Sequence, residues 1–121
     1  MSERDLYEKI EELAERSGVY HAKAFLFVLS AIEHARRSLK IEGHIRGQDL
    51  CEAARELAIN DYGPAAKMVL NGWGIESTLD IGKLVFLMVE EGILSKTEDD
   101  SFDDFRDGFD FETEFVEKYR F

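Results

Sequence analysis

Apolar residues return along this chain with the period of an α-helix, and the residues between them mark where each helix starts and stops. Leu6, Ile10, Leu13 and Ala14 fall on one stripe, while Glu8, Glu11, Glu12 and Glu15 fall on the other. Ser2 with Asp5 three residues later has the capping-box arrangement, and Gly18 supplies a stop, so the first helix is predicted between them. Tyr20 to Lys40 predicts a second helix. Its centre, AKAFLFVLSAI, is apolar nearly all round and so belongs among other helices; its end carries Arg36, Arg37 and Lys40, where the helix dipole favours cations. Gly43 and Gly47 bracket His44-Ile45-Arg46, room enough for a short edge strand or a turn.

A third helix is predicted over Gln48–Tyr62, with Leu50, Cys51, Ala54, Leu57 and Ala58 on one face. Gly63-Pro64 ends it and opens a fourth, Pro64 to Asn71, which presents Ala65, Met68 and Val69. Asn71-Gly72-Trp73-Gly74 reads as a turn around a buried tryptophan. The stretch from Ser77 to Thr97 then joins a capped amphipathic helix, lined by Ile81, Leu84, Val85, Met88 and Val89, to a stop at Gly92 and a short apolar strand, Ile93 to Thr97. Helix–glycine–strand is how the last helix of a winged-helix domain enters its wing. Beyond it, Phe102, Phe105 and Phe109 lie at i, i+3 and i+7, and Phe111 and Phe115 at i, i+4, which fits helical turns better than a strand.

The fold class predicted is mainly α. Residues 1–121 form a single domain of five to six helices with a minimal two- or three-stranded edge. Residues 1–97 are its winged-helix-like core, and 98–121 are an acidic, aromatic segment packed on it.

Composition narrows the setting. The chain has 121 residues, 45% of them hydrophobic, which suffices for one domain with a real core. No apolar run approaches the roughly 20 residues of a membrane span. The N-terminus, MSERDLYEKIEEL, lacks the apolar stretch of a secretory signal, and the single cysteine, Cys51, has no internal disulfide partner. A reducing, cytoplasmic location is expected.

Charge is unevenly placed. The net charge is −11; residues 98–121 hold 3 Lys/Arg against 10 Asp/Glu, while residues 20–46 hold Lys23, Arg36, Arg37, Lys40 and Arg46 against Glu33 and Glu42. An acidic tail and a basic middle in one chain can attract each other or serve separate partners.

Several short motifs carry a resemblance: His44-Ile45-Arg46-Gly47-Gln48-Asp49-Leu50, Tyr62-Gly63-Pro64, Trp73-Gly74-Ile75 with Ser77-Thr78, Gly92-Ile93-Leu94-Ser95-Lys96-Thr97 and Phe109-Asp110-Phe111. Over residues 20–115 the chain resembles a family of small uncharacterised bacterial proteins found mainly in planctomycetes and verrucomicrobia. That resemblance implies membership and brings no catalytic residue or cofactor with it.

Candidate chemistry is sparse. Asp103, Asp107, Gly108 and Glu114 match positions 1, 5, 6 and 12 of a calcium-binding EF-hand loop, but Phe105 and Asp110 occupy positions that need a ligand and an apolar anchor. His21 and His34 are thirteen residues apart, about 220° around a helix, so they do not share a metal on one helix face. Cys51 sits on an apolar face, where a small buried side chain is the ordinary role; pairing with His34 or His44 is the catalytic alternative. NGWGIES lacks the lysine of a phosphate loop.

The expected fifth helix exposes Asp80, Glu90 and Glu91 with a single Lys83, the wrong sign for a recognition helix. If the chain touches nucleic acid, Arg36, Arg37, Lys40 and Arg46 are the residues to do it. The tail aromatics Phe102, Phe105 and Phe109 either close the core or stay exposed as a docking patch. The function expected is a small non-catalytic module that binds another protein, with no cofactor, metal or membrane. A nucleic-acid-associated regulator using residues 20–46 is second, and an enzyme of unrecognised type third.

Overall fold

The computed structural model describes residues 2–43, 45–95, 103–106 and 108–119. In chain order the elements are α1 (Glu3–Ser17), α2 (Ala22–Leu39), α3 (Gly47–Tyr62), a 3-10 turn (Gly63–Ala65), α4 (Ala66–Gly72), α5 (Thr78–Glu90), α6 (Asp103–Arg106), α7 (Phe111–Phe115) and a second 3-10 turn (Glu117–Tyr119). The chain is mainly helical, as its periodicity predicts.

The second helix is the centre of the molecule, packed by α1, α3 and α5. Its all-round apolar sequence buries Phe25, Val28, Ala31 and Ala35 completely. Small residues face inward on both α2 (Ala31, Ala35) and α3 (Ala54, Ala58), which lets helix axes come close. One cluster of buried apolar side chains runs from Ile10 in α1 through Leu84 and Met88 in α5 to Phe105, Phe111 and Phe115 in the tail.

Helix boundaries follow from the caps. Ser2 Oγ accepts the Asp5 amide, and Gly18, with φ 67°, closes α1. The second helix starts two residues later than its apolar pattern predicts. His21 is extended and its Nδ1 accepts the Lys23 amide at 3.0 Å, so the histidine caps the helix instead of joining it. The Asp80 carboxylate accepts the amides of Glu76 and Ser77 at 2.8 and 3.2 Å, fixing the entry to α5, and also accepts the hydroxyl of buried Tyr20. Trp73 is half-buried, less enclosed than expected. It ends α4 and lies edge-on to Tyr62, with ring centroids 5.7 Å apart.

The expected strand edge does not appear among the described residues. There is no strand among them and so no wing, and the expected winged-helix-like core is not shown. At the end of α5 the Gly92 amide donates to Val89 O at 3.0 Å and the Ile93 amide to Met88 O at 2.9 Å, with Gly92 at φ 77°. That is a Schellman motif, which folds the chain back over its own helix and brings Ile93 onto the core. Leu94 also donates to Met88 O, at 3.2 Å, so the amides of both residues are turned back onto α5. Lys96 and Thr97, the end of the predicted strand, lie outside the described residues. Ile45, in the other candidate strand, is a buried loop residue.

Candidate functional site

The tail docks on the core through one buried threonine. Thr78, 1% exposed at the start of α5, donates its hydroxyl to Phe105 O and accepts the Gly108 amide at 3.2 Å. The Phe105 ring enters between α3 and α5 because both helices lack a side chain where it sits. A Cβ on Gly82 would stand 2.8 Å from the ring, and one on Gly47 would stand 2.6 Å from Asp104 Cβ and 3.3 Å from the ring. Two glycines on separate helices therefore form a seat, and Phe105, 2% exposed, fills it.

Phe105 also forms one wall of an apolar cavity of about 390 Å³, within the range of ligand pockets. Ile32, Ile45, Leu50, Val85 and Ile93 line it, and Arg36 is its one charged lining residue among the described residues. Arg36 Nε and Nη2 donate to Gly43 O at 3.4 and 3.1 Å, which pins the α2–α3 loop. The remaining guanidinium donors have no hydrogen-bond partner among the described residues and can meet an acceptor at the cavity edge.

The basic side chains do not gather into one patch of unpaired charge. Arg37 is exposed, with Nε 3.9 Å from Glu33 Oε1 one turn earlier. Lys40 is exposed and caps α2 in the left-handed region, at φ 56°. Arg46 precedes α3, with Nε 3.3 Å from Asp49 Oδ2. Of the aromatic candidates, Phe105 is buried and so is withdrawn from any docking patch. Phe109 is half-buried, stacked on Phe111 at 5.3 Å and edge-on to Phe115 at 5.4 Å. Phe102 lies outside the described residues.

The groups with chemical potential are engaged elsewhere. Cys51 is 1% exposed, and burial, with a smaller contribution from Asp104, pushes its thiol up to about 12. His34 Nε2 lies 3.0 Å from Glu56 Oε2, and His44 is outside the described residues. Of the EF-hand-like positions, Asp107 lies outside the described residues and Glu114 is held by Arg55 at 3.4 Å and Lys118 at 2.9 Å. Among the described residues no three His, Cys, Asp or Glu side chains group to hold a metal, and no helix is long and apolar enough to cross a membrane.

Sequence reasoning missed Gly47, Gly82 and Thr78 as the anchor of the tail. One signal was present: a glycine inside an apolar helix costs about 1 kcal/mol relative to alanine, and such a residue usually has a packing reason. Comparison with known protein families, curated proteins and solved structures finds no match to this chain.

Proposed function

We propose that the chain is a small, non-catalytic, cytoplasmic module that binds another protein through the cavity at Arg36. The observation that carries this reading is the pairing of an apolar lining with one cation at its edge, in a chain whose net charge is −11. Such a site suits a partner segment that inserts an apolar side chain and presents a carboxylate beside it. Burial supplies the affinity and the guanidinium selects the charge. The non-catalytic reading draws support from Cys51, whose enclosed thiol holds its proton far above neutral pH.

The test is capture from native cells followed by mass spectrometry, with the wild-type chain beside Arg36→Glu and Val85→Trp. One recurrent protein, retained by the wild type and lost by both variants at unchanged melting temperature, supports the reading. Its retention by both variants, or the absence of any recurrent protein, sinks it. The second reading, a nucleic-acid-associated regulator, uses the basic residues of 20–46 on a winged-helix-like core. It is weakened by the carboxylates beside Arg37 and Arg46.

A further inference from the structure

A second apolar groove, of about 380 Å³, shares no lining residue with the cavity at Arg36. It lies between α5 and the α1–α2 corner, lined chiefly by Val19, Tyr20, Lys83, Phe86, Leu87 and Glu90. Val19 at its rim is 65% exposed. Lys83, Phe86, Leu87 and Glu90 stand at i, i+3, i+4 and i+7, so they form one stripe along the helix. Its ends carry opposite charges about 10 Å apart along the axis, from the rise of 1.5 Å per residue. Neither the Lys83 ammonium nor the Glu90 carboxylate has a hydrogen-bond or ion-pair partner among the described residues, whereas Arg16 and Glu91 beside them are paired.

That order of charges is self-complementary. The midpoint between Lys83 and Glu90 falls between Phe86 and Leu87. Two copies of α5 laid antiparallel across a two-fold axis at that point set each Lys83 against Glu90 of the other copy, and each Phe86 against the other's Leu87. An isologous interface requires a patch that matches itself under rotation in this way. From the groove and this charge order, we infer that the α5 stripe with Val19 is a contact between two copies of the chain. The net charge of −11 on each copy opposes the encounter. The apolar centre therefore supplies the attraction and the two charge pairs fix the direction. One helix stripe falls short of the roughly 1,200 Å² of a stable interface, so the dimer is weak and reversible.

Sedimentation equilibrium of the full chain over roughly 1 μM to 1 mM, the span in which so weak an interface fills, provides the test. The wild type is expected to shift from monomer to dimer toward the upper end. Lys83→Glu and Glu90→Lys each place like charges at both contacts and should each weaken association about tenfold. An equimolar mixture of these two variants should regain it, because both contacts of the mixed dimer then pair opposite charges. The double reversal Lys83→Glu/Glu90→Lys should regain it as well. Both side chains are exposed, and circular dichroism melts confirm that the variants fold. A wild type that stays monomeric throughout overturns the inference. So does a mixture that associates no better than either variant alone.

Discussion

The Thr78 hydroxyl bonds to the carbonyl of Phe105, 27 residues further along the chain, and so joins the first turn of α5 to the tail. The same oxygen accepts the Gly108 amide, so one atom serves a carbonyl within α6 and an amide just beyond its end. The tail is thereby fixed by polar geometry as well as by its rings.

Thr78→Val keeps the shape of the side chain and removes both bonds. It leaves a carbonyl and an amide without their partner, and the cost of such unsatisfied groups is about 1–3 kcal/mol. A lower denaturant midpoint is expected for Thr78→Val, whereas Thr78→Ser, which keeps the hydroxyl, should retain most of the wild-type stability. Equal midpoints for valine and wild type would show that water replaces the hydroxyl.

Gly82→Ala tests the seat against helix propensity. On propensity alone the substitution stabilises α5 by about 1 kcal/mol. The new methyl would stand 2.8 Å from the Phe105 ring, and overpacking of this kind costs about 1–3 kcal/mol. Net destabilisation is expected in the wild-type background. In a Phe105→Gly background the sign should reverse, because the ring atoms at 2.8 Å and the Phe105 Cβ at 2.9 Å are both gone. A thermal double-mutant cycle reads the coupling directly.

Stability should fall with alkaline pH, partly through Cys51. Its thiol is raised from an ordinary 9.0 to about 12 by burial, so in that window the folded chain keeps a proton that the unfolded chain has lost. The contribution is fully present below pH 9 and declines as pH rises toward 12. Tyr20 acts in the same direction, raised first by burial and then by its hydrogen bond to Asp80. Urea midpoints should drop more steeply above pH 9 for the wild type than for Cys51→Ala; parallel slopes would count against a buried thiol.

Random duplex DNA or RNA should not bind measurably near physiological salt. The net charge of −11 repels a polyanion, and Arg37 and Arg46 each lie beside a carboxylate. Fluorescence anisotropy with labelled duplexes checks this. Micromolar, steeply salt-dependent binding that disappears on charge reversal of Arg36, Arg37 and Lys40 would favour the second reading of function.

The helices were legible because each carries its own signal. Leu6, Ile10 and Leu13 set the period, while Ser2, Gly18, Asp80 and Gly92 set the ends. Phe111 and Phe115 at i, i+4 were legible as a helical turn and share α7. Phe105 lies in α6, whereas Phe109 falls between the two helices and Phe102 outside the described residues. Ile93-Leu94 misled because a short apolar pair after a glycine is also what a Schellman motif places on its own helix. His21 misled the start of α2 because a histidine is an infrequent cap. The cavity and the seat were beyond reach. A gap at Gly47 or Gly82 has meaning only once α3, α5 and Phe105 are brought together, and local periodicity carries no record of that meeting.

The seat also imposes an order in time. Its two glycines stand 35 positions apart, on helices that must meet before there is anywhere for Phe105 to go, and Phe105 follows both in the chain. The wedge can lock the assembly but cannot nucleate it. Its contacts accordingly belong after the rate-limiting barrier to folding, so Phe105→Leu should accelerate unfolding while leaving refolding nearly unchanged. The tail acts as a latch on the lifetime of the native state, closing on helices that have already found each other.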